Sequence, residues 1–75
     1  MKDDEFTFQM LYPPDGISAI VEVSNSRGED FLHVTMDYNK KLIFHFFPEE
    51  PFDITEEQFN KILVFSKKNL SGTII

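Results

Sequence analysis

Hydrophobic and polar residues alternate with a two-residue period in the first third of the chain. In residues 5–12 the apolar parity consists of Phe6, Phe8, Met10 and Tyr12. Residues 17–23 repeat the pattern with Ile17, Ala19, Val21 and Val23. Alternation rich in β-branched and aromatic residues is typical of strands with one buried face, so each segment is predicted to form one.

The segment Pro13–Gly16 separates these strands and has the composition of a turn. Proline fixes φ, aspartate can bond to its own backbone, and glycine accepts a positive φ. A four-residue loop would place Tyr12 opposite Ile17 and Phe8 opposite Val21, with the whole apolar set on one face. The sequence therefore predicts an antiparallel hairpin in this register.

The next two strands, predicted over residues 31–38 and 42–47, are apolar on both faces. Their inner parity contains Leu32, Val34, Met36, Tyr38, Leu42, Phe44 and Phe46, and their outer parity contains Phe31, His33, Thr35, Asp37, Ile43, His45 and Phe47. Only an odd-length connection keeps the inner sets together, so we predict a three-residue turn that places Leu42 opposite Met36 or Tyr38. A polar turn at residues 24–30, centred on Gly28, precedes these strands.

A helix start is encoded at residues 54–59. Thr55 and Gln58 have the spacing of a capping box, and Ile54 and Phe59 that of a hydrophobic staple. From there an apolar stripe with helical spacing runs to about Leu70. Gly72 is a candidate for the residue that follows the helix.

These elements predict an α+β fold, a four-stranded antiparallel β-meander with one C-terminal α-helix on one face, in a single domain covering residues 1–75. The helix is expected to cover the inner parities. The expected sheet contribution to the core is Phe6, Phe8, Met10, Val21, Val23, Leu32, Val34, Phe44 and Phe46.

The second face of this sheet holds the candidate binding residues. We predict an interaction surface composed of Leu11, Ile20, Phe31, His33, Ile43, His45 and Phe47. A contiguous apolar patch with a polar rim is typical of surfaces covered by another protein. The alternative is that Thr73–Ile75, or the 24–30 turn, folds back over this face.

Charge restricts the class of partner. Thirteen acidic and seven basic residues give a net charge of −6, which argues against direct binding to nucleic acid or to an anionic membrane. A basic protein is compatible with this charge. The chain is therefore predicted to be a small acidic interaction protein, such as an inhibitor or immunity-type protein that masks a basic partner, or a homodimer through the second face. The plain alternative is that the charge only confers solubility.

An enzyme is the alternative from another class. In the predicted registers Glu22, His33 and His45 form a row with Thr7, and this row could bind a metal or supply a general base. The simpler interpretation is two half-exposed histidines on an open sheet, so neither catalysis nor a cofactor is expected. No nucleophile or phosphate-binding motif is present. Without cysteines or a membrane-spanning run, and with an acidic N-terminus, a cytoplasmic location is expected.

Overall fold

A computed structural model describes residues 5–14 and 19–70. It contains four strands, β1 (Thr7–Leu11), β2 (Ile20–Ser24), β3 (Asp30–Met36) and β4 (Leu42–Phe46), followed by one helix, α1 (Glu56–Leu70). The strands form one antiparallel sheet in the order β1-β2-β3-β4. The predicted α+β meander with a C-terminal helix is confirmed. Gly72 and the Thr73–Ile75 segment lie outside the described residues.

The predicted register of the first hairpin is wrong by two residues. Phe8 lies opposite Val23 rather than Val21, and Leu11 opposite Ile20 forms the last pair. A shift of two residues leaves every side chain on its predicted face, so the apolar pattern could not detect it. Because proline cannot donate a ladder hydrogen bond, the strand ends before Pro13, and the connection is longer than four residues. Residues 15–18 of that connection are outside the described part.

A β-bulge interrupts the pairing of β2 with β3. Val23 lies opposite Leu32, as the sequence predicts, but the next pair joins Ser24 to Asp30. Phe31 is therefore an extra residue in β3. Both Phe31 and Leu32 are buried in the core, at 4% and 0% exposure, although neighbours in a regular strand point to opposite faces.

The β2–β3 and β3–β4 connections have the same structure. In residues 25–29 and in residues 37–41, the first N–H donates to the last carbonyl and the fourth N–H donates to the first carbonyl, at 2.9–3.0 Å. The side-chain Oδ1 of Asn25, and likewise that of Asp37, accepts the N–H groups of the third and fifth residues. The predicted three-residue turn is present, but it spans residues 38–40 rather than 39–41, and of the two predicted registers the structure has Leu42 opposite Met36.

The fourth residue of each turn has a left-handed backbone. It is Gly28, with φ 84°, in the first turn and Lys40, with φ 64°, in the second. The left-handed conformation costs a residue with a Cβ about 1–2 kcal/mol. We expect Lys40→Gly to raise the free energy of unfolding by about 1 kcal/mol, as measured by urea denaturation, because the gain exceeds the entropy that glycine loses on folding.

Two variants control for charge and position. Lys40→Ala removes the same charge but keeps the Cβ, so it should change stability by less than about 0.5 kcal/mol. Gly28→Ala should lose about 1 kcal/mol from backbone strain alone, because a Cβ at Gly28 would meet nothing within 4 Å. Equal effects of Lys40→Gly and Lys40→Ala would contradict the strain at Lys40.

The helix begins as the sequence predicts. The N–H of Thr55 donates to Oε1 of Gln58 at 2.9 Å, and the N–H of Gln58 donates to Oγ1 of Thr55 at 3.0 Å. This reciprocal pair is the capping box, and Glu56 and Glu57 complement the positive end of the helix dipole. Helix α1 has 15 residues, so no helix in the described chain is long and apolar enough to cross a membrane.

Helix α1 covers the middle of the sheet. It packs mainly against β2 and β3, and its buried residues are Ile62, Ser66 and Leu70. The predicted core is therefore confirmed in its centre and weaker toward both edges of the sheet, where Phe6, Phe8, Met10 and Phe44 are partly buried and Phe46 is 50% exposed. Phe46 instead lines a groove with Pro48, Phe52 and Phe59 beside the helix start.

Candidate interaction surface

The sheet face opposite α1 is covered by no helix or strand of residues 5–14 and 19–70. We call this surface the open face, and its residues are Gln9, Leu11, Ile20, Glu22, Asp30, His33, Thr35, Ile43, His45 and Phe47. Leu11 pairs with Ile20, and Thr35 pairs with Ile43, so the aliphatic members form one end of the face. The next row, which we call the polar row, consists of Gln9, Glu22, His33 and His45.

Some apolar side chains on the open face have a large solvent-exposed area. Ile43 is 40% exposed and Phe47 is 42% exposed, while Leu11 and Ile20 are partly buried by their neighbours. Phe47 lies just beyond β4 and is held by a backbone hydrogen bond from its N–H to the carbonyl of Phe31, at 2.9 Å. Aliphatic surface therefore lies on one side of the polar row and aromatic surface on the other.

Phe31 is not part of this face, and its assignment to the interaction surface is wrong. Its ring lies in the core, with ring centroids 5.0 Å from Phe6 and 4.7 Å from Phe52, both in edge-to-face geometry. The cause is the bulge, which adds one residue to β3 and so turns the Phe31 side chain away from the parity that regular alternation gives it.

The predicted alignment of Glu22, His33 and His45 is confirmed at the level of register. Glu22 lies opposite His33, and His33 lies opposite His45. Because of the shift in β1, the fourth member of the row is Gln9 rather than Thr7. The side chains do not all converge, however. The group of metal-ligating atoms within 4.8 Å of one another comprises Glu22, Asp30 and His33, without His45.

His33 is surrounded by two carboxylates and an aromatic ring. Its Nε2 lies 3.6 Å from Oε2 of Glu22 and 3.7 Å from Oδ2 of Asp30. The Phe47 ring packs against the imidazole with centroids 4.8 Å apart at 78°. Although 32% of the His33 side chain is exposed, Nε2 is shielded from solvent and has no hydrogen-bond partner in the described structure.

Asp30 is the residue of this cluster that sequence reasoning missed. In a regular strand, residues three apart point to opposite faces, so Asp30 and His33 would be separated by the sheet. The bulge restores Asp30 to the face of His33. A hint was present in the adjacent apolar residues Phe31 and Leu32, which break the alternation directly after a turn.

Comparisons with protein-family models, with curated proteins and with solved structures found no match to this chain.

Two grooves flank α1 on the other side of the sheet. One lies beside the helix start and contains Phe46 and Phe59, and the second lies between the helix and Phe8. Neither groove includes Glu22, His33 or His45. Active sites are usually concave. The position of these three residues outside both grooves therefore does not favour the enzyme alternative.

Proposed function

We propose that this chain is a small acidic interaction domain that binds a basic protein through the open face of its sheet. The single observation that carries the proposal is the uncovered face itself, which presents Ile43 and Phe47 at 40% and 42% exposure beside polar residues. Desolvation of apolar and aromatic side chains at the centre of an interface is the usual source of binding energy.

The charge of the face supports a basic partner. Its ionisable residues are Glu22, Asp30, His33 and His45, with no lysine or arginine among them. Exposed Glu49, Glu50 and Asp53 follow Phe47 in sequence, so carboxylates border the aromatic end of the surface along the chain. Complementary charge steers association and selects the partner, as an inhibitor that masks a cationic site requires.

Binding of a basic partner through the open face is tested with variants of one surface residue, Ile43. We expect wild-type protein, immobilised at about 50 mM salt, to capture a basic protein from the native lysate, and this binding to weaken at about 500 mM salt because charge attraction is screened. Ile43→Asp should reduce capture at least about tenfold, since it buries an unpaired charge in the contact. Ile43→Thr, which keeps the β-branched shape, should give a smaller loss.

Val64→Asp is the matched control. Val64 is an apolar residue on α1, 66% exposed, and the variant adds the same charge away from the open face. It should capture the partner as wild type does. Equal capture by Ile43→Asp and Val64→Asp, with both folded by circular dichroism, would contradict binding through the open face, as would recovery of acidic proteins alone.

Self-association through the same face is the other outcome of this experiment. Sedimentation equilibrium measures it directly, because a homodimer has twice the mass of the chain. A wild-type dimer that Ile43→Asp converts to a monomer would replace the basic partner with a second copy. A monomer in both proteins would eliminate the homodimer.

A further inference from the structure

We propose that Glu22, Asp30 and His33 form a binding site for a divalent transition metal of the zinc class. The proposal is independent of the protein partner, because it depends on three side chains of this chain and on no second molecule. One nitrogen and two carboxylate groups meet at the bulged end of β3, and their ligand atoms lie within 4.8 Å of one another.

The sheet brings these ligands together through two different relations. Glu22 and His33 are direct cross-strand partners, so their side chains leave the same face side by side. Asp30 joins them because the extra residue Phe31 puts positions 30 and 33 on one face. Two strands in a hydrogen-bonded ladder thus position all three ligands, which favours a preorganised site.

The distances suit a metal better than they suit hydrogen bonds. Nε2 of His33 lies 3.6 Å from Oε2 of Glu22 and 3.7 Å from Oδ2 of Asp30, beyond hydrogen-bonding range. In a tetrahedral zinc site with bonds of about 2.1 Å, two ligand atoms are about 3.4 Å apart. The two nitrogen–oxygen separations exceed this value by only a few tenths of an ångström, and the two carboxylate oxygens lie within 4.8 Å of each other.

The imidazole nitrogen that would bind the metal is also unsatisfied. Nε2 of His33 is shielded from solvent and has no hydrogen-bond partner in the described structure, although most buried polar atoms have one. The Phe47 ring packs against the imidazole and limits its rotation. A metal at Nε2 would satisfy the nitrogen and offset the repulsion between the two carboxylates.

The donor set selects the class of ion. Ca²⁺ and Mg²⁺ prefer oxygen ligands alone, whereas zinc and its first-row neighbours accept imidazole nitrogen together with carboxylate oxygen. Three protein ligands leave a fourth tetrahedral position for solvent or for a donor atom from another molecule.

Calorimetric titration of the full chain with Zn²⁺ tests the site. We expect one-to-one binding at micromolar concentration, and a thermal midpoint raised by about 10–20 °C when the free Zn²⁺ concentration is a hundred times Kd. His33→Ala should abolish both effects, and the near-isosteric Glu22→Gln and Asp30→Asn should each weaken binding at least about tenfold.

His45→Ala is the matched control, because His45 lies opposite His33 on the next strand but outside the cluster. It should keep full Zn²⁺ affinity, and Mg²⁺ should not compete. If wild type shows no one-to-one binding below about 100 μM, or if folded His33→Ala binds as wild type does, the site does not exist. Loss of binding in His45→Ala equal to that in His33→Ala would also overturn this ligand set.

Discussion

Phe31→Ala is expected to lower the free energy of unfolding by about 4 kcal/mol, as measured by urea denaturation. The ring is 4% exposed and lies between Phe6 and Phe52, so truncation leaves a cavity in the aromatic end of the core. A chain of 75 residues has a total stability of about 4–11 kcal/mol, so the variant should be only marginally folded at best.

Phe47→Ala is the matched control, since both residues have the same side chain and their backbones share a hydrogen bond. Phe47 is 42% exposed, and its loss should cost about 1 kcal/mol. Phe31→Leu, which keeps most of the buried volume, should lose about 1.5 kcal/mol and remain folded for measurement. Similar losses of stability in the two alanine variants would mean that Phe31 lies on the open face and that β3 contains no bulge at this position.

Ser66→Ala should change stability in the opposite direction and raise the free energy of unfolding by about 1.5 kcal/mol. Ser66 is fully buried on the α1 face that packs against the sheet, and its Oγ has no hydrogen-bond partner within the described chain. The unsatisfied hydroxyl is a cost that alanine removes, and alanine is also the better helix former.

Asn60→Ala separates these two contributions. Asn60 is exposed on the same helix, so its replacement reports only helix propensity, about 0.5 kcal/mol. The urea midpoint should therefore rise more for Ser66→Ala than for Asn60→Ala. Equal gains, or a loss at Ser66, would mean that the hydroxyl is satisfied in solution.

The features that the sequence predicted correctly are those encoded over a few neighbouring residues. Thr55 and Gln58 determine the helix start by hydrogen bonds between positions three apart. Parity limited the β3–β4 register to two choices, Leu42 opposite Met36 or opposite Tyr38, and the structure has the first. Local hydrogen bonding was sufficient for the helix start, and periodicity was sufficient for the face of each β3 and β4 residue but not for the choice between the two registers.

The features it missed depend on tertiary packing. A two-residue shift in β1 conserves parity, so pairing Phe8 with Val23 or with Val21 gives the same pattern of buried residues. The bulge breaks parity at one position, and it is favoured by the space that Phe31 fills between Phe6 and Phe52, residues distant in sequence. The incomplete cover of β4 by α1 depends on where the helix lies across the sheet.

At the site, the same bulge explains both errors. It removed Phe31 from the predicted interaction surface and placed Asp30 beside His33, where the sequence suggested His45 as the third member of a possible cluster. The row of Glu22 and His33 was predictable because it follows from the β2–β3 register alone.

The bulge also bears on how this chain tolerates genetic change. Removal of the Phe31 codon would make the pairs Val23–Leu32 and Ser24–Asp30 consecutive, which is a regular antiparallel ladder. Every other side chain would keep its face. A one-codon insertion or deletion in a strand ordinarily moves every residue on one side of the change to the opposite face of the sheet. Deletion at this position would leave each remaining residue on its own face.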